Sequence, residues 1–270
     1  MTNIKFTKMQ ALGNDFVVID ATKQPFLLTP QQMQPMSDRR CGVGFDQLLV
    51  LELSRHQGSD FYYRIFNADG AEVGQCGNGA RCVALYIKEK ALSDKDAIVL
   101  QTREVKMQCR LLSDGRVSVL MGQPKFEPEE IPFDPSQPPS LDREFGVVNV
   151  GNPHAVMVVD DVDAVDLTRL GRAFEADARF PEGVNVSVMS VRQPNALALR
   201  VFERGVGETE ACGSAACAAM VLGRKQGLLD ARVVVSQPGG DLEIIWQDVD
   251  SSIEMIGPAA FVFYGDYPLL

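Results

Sequence analysis

Two stretches of 14 residues decide the fold: "RIFNADGAEVGQCG" (64–77) and "RVFERGVGETEACG" (200–213). At an offset of 136 positions they share Arg, Phe, Glu and the closing Cys-Gly pair. Two further pairs keep the same order at an offset of 138, "GNDFVVID" (13–20) with "GNPHAVMVVD" (151–160) and "VGFDQLLVL" with "EGVNVSVMSV". Three matches at nearly one offset indicate an internal repeat, and therefore two related lobes.

Short β-branched or apolar runs bounded by turn residues predict strands in both halves. Helices are predicted over 77–92 and 213–227, each directly after a Cys-Gly pair, and Gly227 is expected to close the second. In the first half the strands are expected at 15–21, 47–53, 61–67, 97–102, 105–112 and 116–121.

The domain boundary is placed near residue 120, with a first lobe over 1–119 that carries Cys76 and a second over 120–270 that carries Cys212. Whether the last strand returns to the first lobe is left open. Six prolines crowd residues 124–139 and disfavour both helix and central strand. This segment is interpreted as a linker or surface crossover between the lobes.

Composition excludes several classes. The 270 residues are 46% hydrophobic and 23% charged, as in ordinary globular proteins, and their net charge of −10 argues against a nucleic-acid partner. The N-terminal stretch lacks a signal-peptide pattern, and no run is apolar enough to span a membrane. We therefore expect a cytoplasmic protein whose six cysteines are mostly thiols.

A cysteine at a helix start is chemically useful. The first backbone N–H groups of a helix lack intrahelical partners and favour anions, so the following glycines can admit a carboxylate. The helix dipole is also expected to lower the thiol pKa towards neutrality. Two such elements facing each other would place one thiol on each face of a substrate, an arrangement suited to inverting a carbon centre by proton transfer. No lysine stands in a recognisable pyridoxal context, so we expect no cofactor.

Other roles for the cysteines fit the sequence less well. A metal site is disfavoured because no Cys-x-x-Cys occurs and the chain has two histidines, His56 and His154. A thiol–disulfide redox protein would need two cysteines close in sequence, and a binding module would have no use for matched thiols. A racemase of another amino acid remains open at this point. His56 is expected on a surface turn. The other four cysteines are expected in the core: Cys41, Cys82, Cys109 and Cys217.

The motifs "LGNDFVVID", "GFDQLL", "FNADG", "CGNGARC", "GNPHAV", "FERGVGETEACGS" and "GPA" resemble those of diaminopimelate epimerases, in order and over nearly the whole chain. The resemblance implies an α+β fold of two pseudo-symmetric lobes, each a largely antiparallel sheet wrapped around a central helix, with the active site in the cleft between them. It also implies cofactor-independent interconversion of LL- and meso-diaminopimelate, in lysine and peptidoglycan precursor synthesis.

Carried over by position, the resemblance makes Cys76 and Cys212 the catalytic thiols, the first donating and the second accepting the proton in the LL-to-meso direction. His154 and Glu203 match residues that tune the thiols. Gly77-Asn78 and Gly213-Ser214 match the segments that hold the carboxylate of the reacting carbon. The remaining substrate contacts implied are Asn14, Gln47, Asn67, Asn152, Asn185, Glu203 and Arg204.

Two departures from the family pattern carry expectations. Ala215 stands where a glycine is common, which requires that this residue be helical, because a Cβ is not tolerated at positive φ. Phe263 stands where some members carry a tyrosine at a dimer contact. A homodimer is still expected, with the small-molecule substrate as the other partner.

Overall fold

The computed structural model describes residues 3–23, 25–26, 28–54, 56–139 and 143–269. The chain divides into two compact units, Met1–Val119 with Gly257–Leu270 and Leu120–Ile256. The last strand thus returns to the first unit. The proline-rich segment lies inside the second unit, where Pro128–Glu130 form a short 3-10 helix and Ile131 is buried, so its interpretation as a linker is wrong.

The first unit is a mixed sheet in the order β17-β1-β2-β3-β4-β6-β7, with β5 beside β4. Most pairings are antiparallel, but β2–β3 and β4–β6 are parallel and are joined by the helical crossovers that such pairs require. Its elements are β1 (Asn3–Ala11), β2 (Asn14–Asp20), α1 (Pro30–Ser37), β3 (Gln47–Leu53), β4 (Phe61–Asn67), β5 (Glu72–Val73), α2 (Gly77–Glu89), β6 (Ala97–Gln101), β7 (Lys106–Leu111), β8 (Val117–Leu120, at the boundary) and β17 (Ala260–Pro268).

The second unit repeats this plan in the order β9-β10-β11-β12-β14-β15-β16, with β13 beside β12. Here too the two parallel pairs, β10–β11 and β12–β14, are bridged by helices. Its elements are β9 (Gly146–Asn149), β10 (Pro153–Val158), α3 (Leu167–Glu175), β11 (Asn185–Gln193), β12 (Ala196–Glu203), β13 (Gly207–Thr209), α4 (Gly213–Lys225), β14 (Arg232–Gln237), β15 (Gly240–Ile245) and β16 (Glu254–Gly257).

Strand register confirms the internal repeat. Phe16 pairs with Gln47 across β2–β3, and the residues 138 positions later, His154 and Asn185, pair across β10–β11. Likewise Phe66 opposes Glu72, and Phe202 opposes Glu208. A slip of one residue would turn each side chain to the other face of the sheet, so equivalent residues of the two units point to equivalent faces.

Each unit buries one central helix against one face of its sheet, as predicted. Helix α2 packs against β1, β2, β3 and β7, and α4 packs against strands β9 to β12, β14 and β15. Every residue of α4 from Ala215 to Gly223 is buried, and its alanines allow close approach to the strands. Ala215 is helical, as expected, and Gly227 closes the helix at a φ of 74°.

A second helix in each unit covers the opposite face of the sheet, and sequence analysis missed both. Met33 and Met36 of α1 pack on Val17 and Leu48, while α3 packs on its own sheet through Leu167, Leu170 and Phe174. Helices on both faces explain why the central strands contain the continuously apolar and buried runs "FVVI" (16–19) and "LLVL" (48–51). Among the described residues, none of the helices has the length and apolar content that crossing a bilayer demands.

A buried arginine ties the returning C-terminal segment to the first unit. Arg81 lies in α2 with no accessible surface, and its Nε donates to the carbonyl of Pro258 at 3.1 Å. The segment then forms β17, which pairs with β1 along its length, with Phe6 opposite Gly265. The unit's sheet is therefore completed by residues more than 130 positions beyond its other strands.

Arg81→Met keeps the aliphatic stem but removes the guanidinium. We expect the variant to lose about 2 kcal/mol of unfolding free energy, because a hydrogen bond to a charged donor is lost at a buried site. Urea denaturation followed by circular dichroism measures the change. Arg110→Met, at an exposed position of β7, is the matched control and should stay within about 0.5 kcal/mol of wild type. Equal stability of the two variants would contradict the assignment.

Candidate active site

The first half-site comprises Asn14, Gln47, Asn67, Cys76, Gly77 and Asn78. Strands β2 and β3 begin, β4 ends and α2 begins at the same edge of the first unit's sheet. Gln47 pairs with Asn67 in the strand register, and its Nε2 donates to Asn67 Oδ1 at 3.0 Å. Asn78 Nδ2, in the first turn of α2, donates to Asn14 Oδ1 at 3.4 Å. The structure thus brings these predicted residues together within one unit.

A carboxylate orients the Asn14 amide. Asn14 Nδ2 donates to Asp46 Oδ2 at 2.8 Å, and Asp46 is held by Arg39 and by the backbone N–H of Asp15. An ionised carboxylate only accepts hydrogen bonds, so the nitrogen of the amide must face Asp46. Asn14 therefore presents its oxygen towards Asn78 and the start of α2. Gln47 adds a second acceptor, because its Oε1 is buried without a hydrogen-bond partner in the described residues.

Cys76 is the N-cap residue of α2. Its backbone is extended, and its sulfur accepts a hydrogen bond from the Gly79 N–H at 3.3 Å. A sulfur in this role satisfies one of the helix's orphan donors at the positive end of the helix dipole. The side chain is only partly buried.

Packing explains the second glycine of "CGNG", Gly79. A Cβ built on Gly79 would lie 2.2 Å from the hydroxyl oxygen of Tyr63, which is fully buried and donates to the Cys76 carbonyl at 3.4 Å. Gly79 is therefore required by packing, and its expected part in admitting a carboxylate stays a prediction. In the second unit the equivalent positions hold Leu199, which lacks a hydroxyl, and Ala215.

The second half-site comprises Asn152, His154, Asn185, Glu203, Arg204, Cys212, Gly213 and Ser214. It forms where β10 and β11 begin, β12 ends and α4 begins, the counterpart of the edge used in the first unit. His154 Nε2 is 2.9 Å from Asn152 Oδ1 and 3.0 Å from Ser214 Oγ, which links β10 to the first turn of α4. Glu203 and Ser214 contact Cys212 directly, and Asn152 is linked to the helix start through His154. Asn185 and the exposed Arg204 side chain contact other parts of the unit.

The thiol of Cys212 is buried beside a carboxylate. Its Sγ donates to Glu203 Oε2 at 3.3 Å and lies 3.4 Å from Ser214 Oγ. Burial raises the pKa of Cys212 well above its usual value, and the charge of Glu203 raises it further, while Ser214 and the Ala215 N–H oppose the shift. The expected lowering of the pKa at a helix start is therefore wrong for Cys212, because desolvation outweighs the helix dipole.

His154 is a neutral imidazole. It has no accessible surface, and burial together with the positive charge of Arg204 lowers its pKa to about 3. Its Nδ1 has no hydrogen-bond partner in the described part of the chain, which fits an unprotonated nitrogen better than a buried N–H without an acceptor. Nε2 of His154 is then the donor, so the oxygen of the Asn152 amide faces His154. The nitrogen of that amide is left as a donor for a ligand.

Asn185 and Arg204 form the supporting wall of this half-site. Asn185 donates to the Pro153 carbonyl at 3.0 Å and accepts the Arg204 backbone N–H at 3.0 Å, so both ends of its amide are engaged. The Arg204 guanidinium donates to the Glu182 carbonyl at 2.5 Å. In this arrangement Asn185 positions the turn that carries Arg204.

The remaining cysteines do not enter either half-site. Cys82, Cys109 and Cys217 are buried as predicted, and burial raises the pKa of Cys109 to about 12 and that of Cys82 further. Cys41 is exposed, so its assignment to the core is wrong. The described residues contain no group of three or more His, Cys, Asp and Glu side chains able to hold a metal ion.

Among the residues that touch the half-sites and that sequence reasoning did not find are Asp46 and Thr209. Asp46 orients Asn14, and the Thr209 hydroxyl donates to Glu203 Oε1 at 2.6 Å. Both lie inside the motifs that define the repeat. The available signal was that each differs from its counterpart in the other unit, Val184 for Asp46 and Val73 for Thr209.

The buried neutral His154 makes stability depend on pH. Its pKa falls from about 6.5 when unfolded to about 3 when folded, so the unfolded chain binds the extra proton between these values and stability drops as pH falls below 6.5. From pH 7 to pH 5 this group should cost about 2 kcal/mol. His154→Phe, which installs the residue of the first repeat, should remove that component. Urea titrations of both proteins at several pH values measure it, and parallel curves would contradict the assignment.

The chain is similar in sequence to known proteins over nearly its whole length. A family model described as diaminopimelate epimerase matches residues 6–127 and 146–262. A diaminopimelate epimerase from Coxiella burnetii is 52% identical, over 98% of this chain and 99% of the relative. Another from Chromobacterium violaceum is 47% identical over the same shares of the two chains.

Solved structures with low sequence identity share the fold. A PhzF-family phenazine biosynthesis protein from Bacillus anthracis superposes with a TM-score of 0.71 at 18% identity, covering 99% of this chain and 100% of the other. A hydroxyproline epimerase from Agrobacterium vitis gives a TM-score of 0.68 at 11% identity, over 98% and 92% of the two chains. The expected α+β epimerase fold is thereby confirmed.

Proposed function

The chain belongs to the diaminopimelate epimerase family, and we propose that it interconverts LL- and meso-2,6-diaminopimelate by proton transfer between two thiols, Cys76 and Cys212. The observation that carries the proposal is the repeated register. In both units the same strand ends surround a cysteine that occupies the N-cap position of a buried helix. Inversion at one carbon requires a proton carrier for each of its faces, and the two half-sites each supply one thiol.

The helix starts hold the carboxylate next to the reacting carbon. The backbone N–H groups of Gly77-Asn78 and of Gly213-Ser214 stand in the first turns of α2 and α4, where the donors have no intrahelical partners and the dipole is positive. When the α-proton leaves, negative charge develops on this carboxylate. Fixed donors stabilise that charge without reorganising, which is the main electrostatic contribution to the rate.

Proton transfer in the LL-to-meso direction begins at Cys212. Glu203 accepts the thiol proton through the contact that its Oε2 already makes, and the thiolate then takes the α-proton from one face of the substrate. The Cys76 thiol delivers its own proton to the opposite face, so one C–H bond breaks and another forms with inverted configuration. The reverse reaction exchanges the two roles. The route needs no cofactor, because the carboxylate itself takes up the carbanion charge.

The polar residues of the half-sites are assigned to the rest of the substrate. The oxygens of Asn14 and Gln47 are acceptors suited to an ammonium group, and the Asn152 nitrogen is a donor suited to a carboxylate. Asn67, Asn185, Glu203 and Arg204 complete the set. A substrate with an amino-acid head at each end matches these groups better than an apolar ring does. We further propose a cytoplasmic role in lysine and peptidoglycan precursor synthesis.

Single substitutions test the two thiols. Cys76→Ala and Cys212→Ala should each lower epimerisation by about 10³-fold or more, because each removes one of two obligatory proton carriers. Turnover of LL-diaminopimelate, followed by optical rotation without pyridoxal phosphate, measures the loss, and reaction in deuterated water should label the α-carbon. Cys41→Ala, at an exposed thiol, is the control expected to match wild type. Near-normal turnover of either variant, or product without deuterium, would refute the mechanism.

We propose a homodimer formed through β17. This strand pairs with β1 and exposes three consecutive large side chains, Val262, Phe263 and Tyr264. Phe263 takes the place of the tyrosine expected from the family pattern, and its ring still packs edge-on against Phe6. Phe263→Arg should shift the protein from dimer to monomer in sedimentation equilibrium, because a charge would be buried at the contact. A monomeric wild-type protein would contradict the proposal.

A further inference from the structure

The two half-sites differ in the groups that surround their thiols. In the second unit Cys212 contacts the ionisable Glu203, whereas the equivalent residue in the first unit is the amide Asn67. The difference continues one step outward, since Thr209 in β13 replaces Val73 in β5. The register is the same in both units, with Val201 opposite Thr209 and Ile65 opposite Val73.

Thr209 reaches Glu203 across the β12–β13 pair. Glu203 opposes Gly207, so Thr209 is its diagonal neighbour on the same face of the sheet. The Thr209 hydroxyl donates to Glu203 Oε1 at 2.6 Å, while the other carboxylate oxygen, Oε2, accepts from the Cys212 thiol at 3.3 Å. A short hydrogen bond to a charged acceptor is among the stronger ones in proteins. The hydroxyl thus holds one oxygen and leaves the other aimed at the sulfur.

The strand itself does not require a hydroxyl at this position. Val73 occupies the same register in the first unit, and valine and threonine have nearly the same shape and similar β propensity. A purely structural residue here could therefore be valine in both units. The hydroxyl is present in the unit where its acceptor is a carboxylate, and its counterpart lacks one where the acceptor position holds an amide.

We propose that Thr209 is a positioning residue for the epimerisation: its hydroxyl fixes the Glu203 carboxylate against the Cys212 thiol, so that this thiol, and not Cys76, is governed by an acidic partner. The inference rests on the proposed function for its effect on turnover. Its effect on the Cys212 thiol does not depend on the identity of the substrate.

Several polar groups contact Cys212, and Glu203 is the charged group among them. From β12 comes Glu203, from α4 the Ser214 hydroxyl, and from β14 Gln237, whose Oε1 accepts the Cys212 N–H at 2.8 Å. His154 of β10 is neutral and reaches the thiol through Ser214. The Arg204 guanidinium is directed to the Glu182 carbonyl. Releasing Glu203 from Thr209 should therefore be felt directly by the Cys212 sulfur.

Thr209→Val removes the hydroxyl and keeps the shape of the side chain. The partly exposed Glu203 is then free to turn towards solvent, and its charge no longer opposes thiolate formation at Cys212. We expect the midpoint of the pH dependence of Cys212 alkylation by iodoacetamide, mapped by mass spectrometry, to fall by about one pH unit. We expect kcat for diaminopimelate to fall about tenfold with KM within about twofold, because the aim of the proton acceptor is lost while substrate contacts remain.

Two variants separate positioning from structure. Thr209→Ser restores a hydroxyl. It should return kcat to within about threefold of wild type and the alkylation midpoint to within about 0.5 pH unit. Thr22→Val removes a hydroxyl that also donates to a carboxylate at 2.6 Å, that of Asp20, but lies outside both half-sites, and it should leave both measurements unchanged. Thermal unfolding of all variants checks that they fold.

The outcomes are distinct. A Thr209→Val protein with an unmoved or raised alkylation midpoint, or a Thr209→Ser protein that behaves like Thr209→Val, overturns the inference. A wild-type protein that does not epimerise diaminopimelate overturns the proposed function instead, and the alkylation series still tests the Thr209–Glu203 contact.

Discussion

Placing a cysteine as the N-cap residue of a buried helix is the constraint on which the rest of the structure depends. The cap must be extended, the helix must start within a residue of it, and the sheet must surround the helix closely enough to exclude water. In the first unit the sulfur of Cys76 itself accepts the Gly79 N–H. In the second unit the Cys212 backbone is anchored to Gln237 of β14. The position of the surrounding strand ends follows from this placement. A helix that connects two parallel strands begins on the side of the sheet where the first of those strands ends.

The two units share their strand register but differ in the side chains that orient their site residues. The register of the parallel pairs is the same in both units, so Asn14 and Asn152 occupy equivalent positions. Their amides are nevertheless oriented by different partners, Asp46 for one and His154 for the other. A repeated backbone can therefore present an acceptor at one half-site and a donor at the other. In the proposed reaction this difference suits a substrate that carries both ammonium and carboxylate groups.

Much of the fold followed from patterns in the chain, and the failures have physical causes. The central strands and the helices after each Cys-Gly were predicted because strand alternation, turn residues and caps are local signals. Helix α1 was missed because it contains an internal proline, Pro35, and has a weak apolar pattern. Helix α3 was missed although Asp166 caps it and Leu167, Leu170 and Phe174 form a stripe at helical spacing, a signal that could have been used. The packing role of Gly79 was missed because the residue that requires it, Tyr63, is 16 positions away in the chain.

The repeat, the two Cys-Gly helix starts and the polar residues around them can be identified from the sequence, because a duplicated motif keeps the spacing of its residues. The protonation states and hydrogen-bond partners of those groups depend on the folded structure. Burial raised the pKa of Cys212 against the pull of the helix dipole and made His154 neutral. Contacts between strands assigned Asp46 to Asn14 and Thr209 to Glu203. Desolvation and hydrogen-bond direction depend on neighbours brought together by folding, and these are properties that spacing along the chain does not carry.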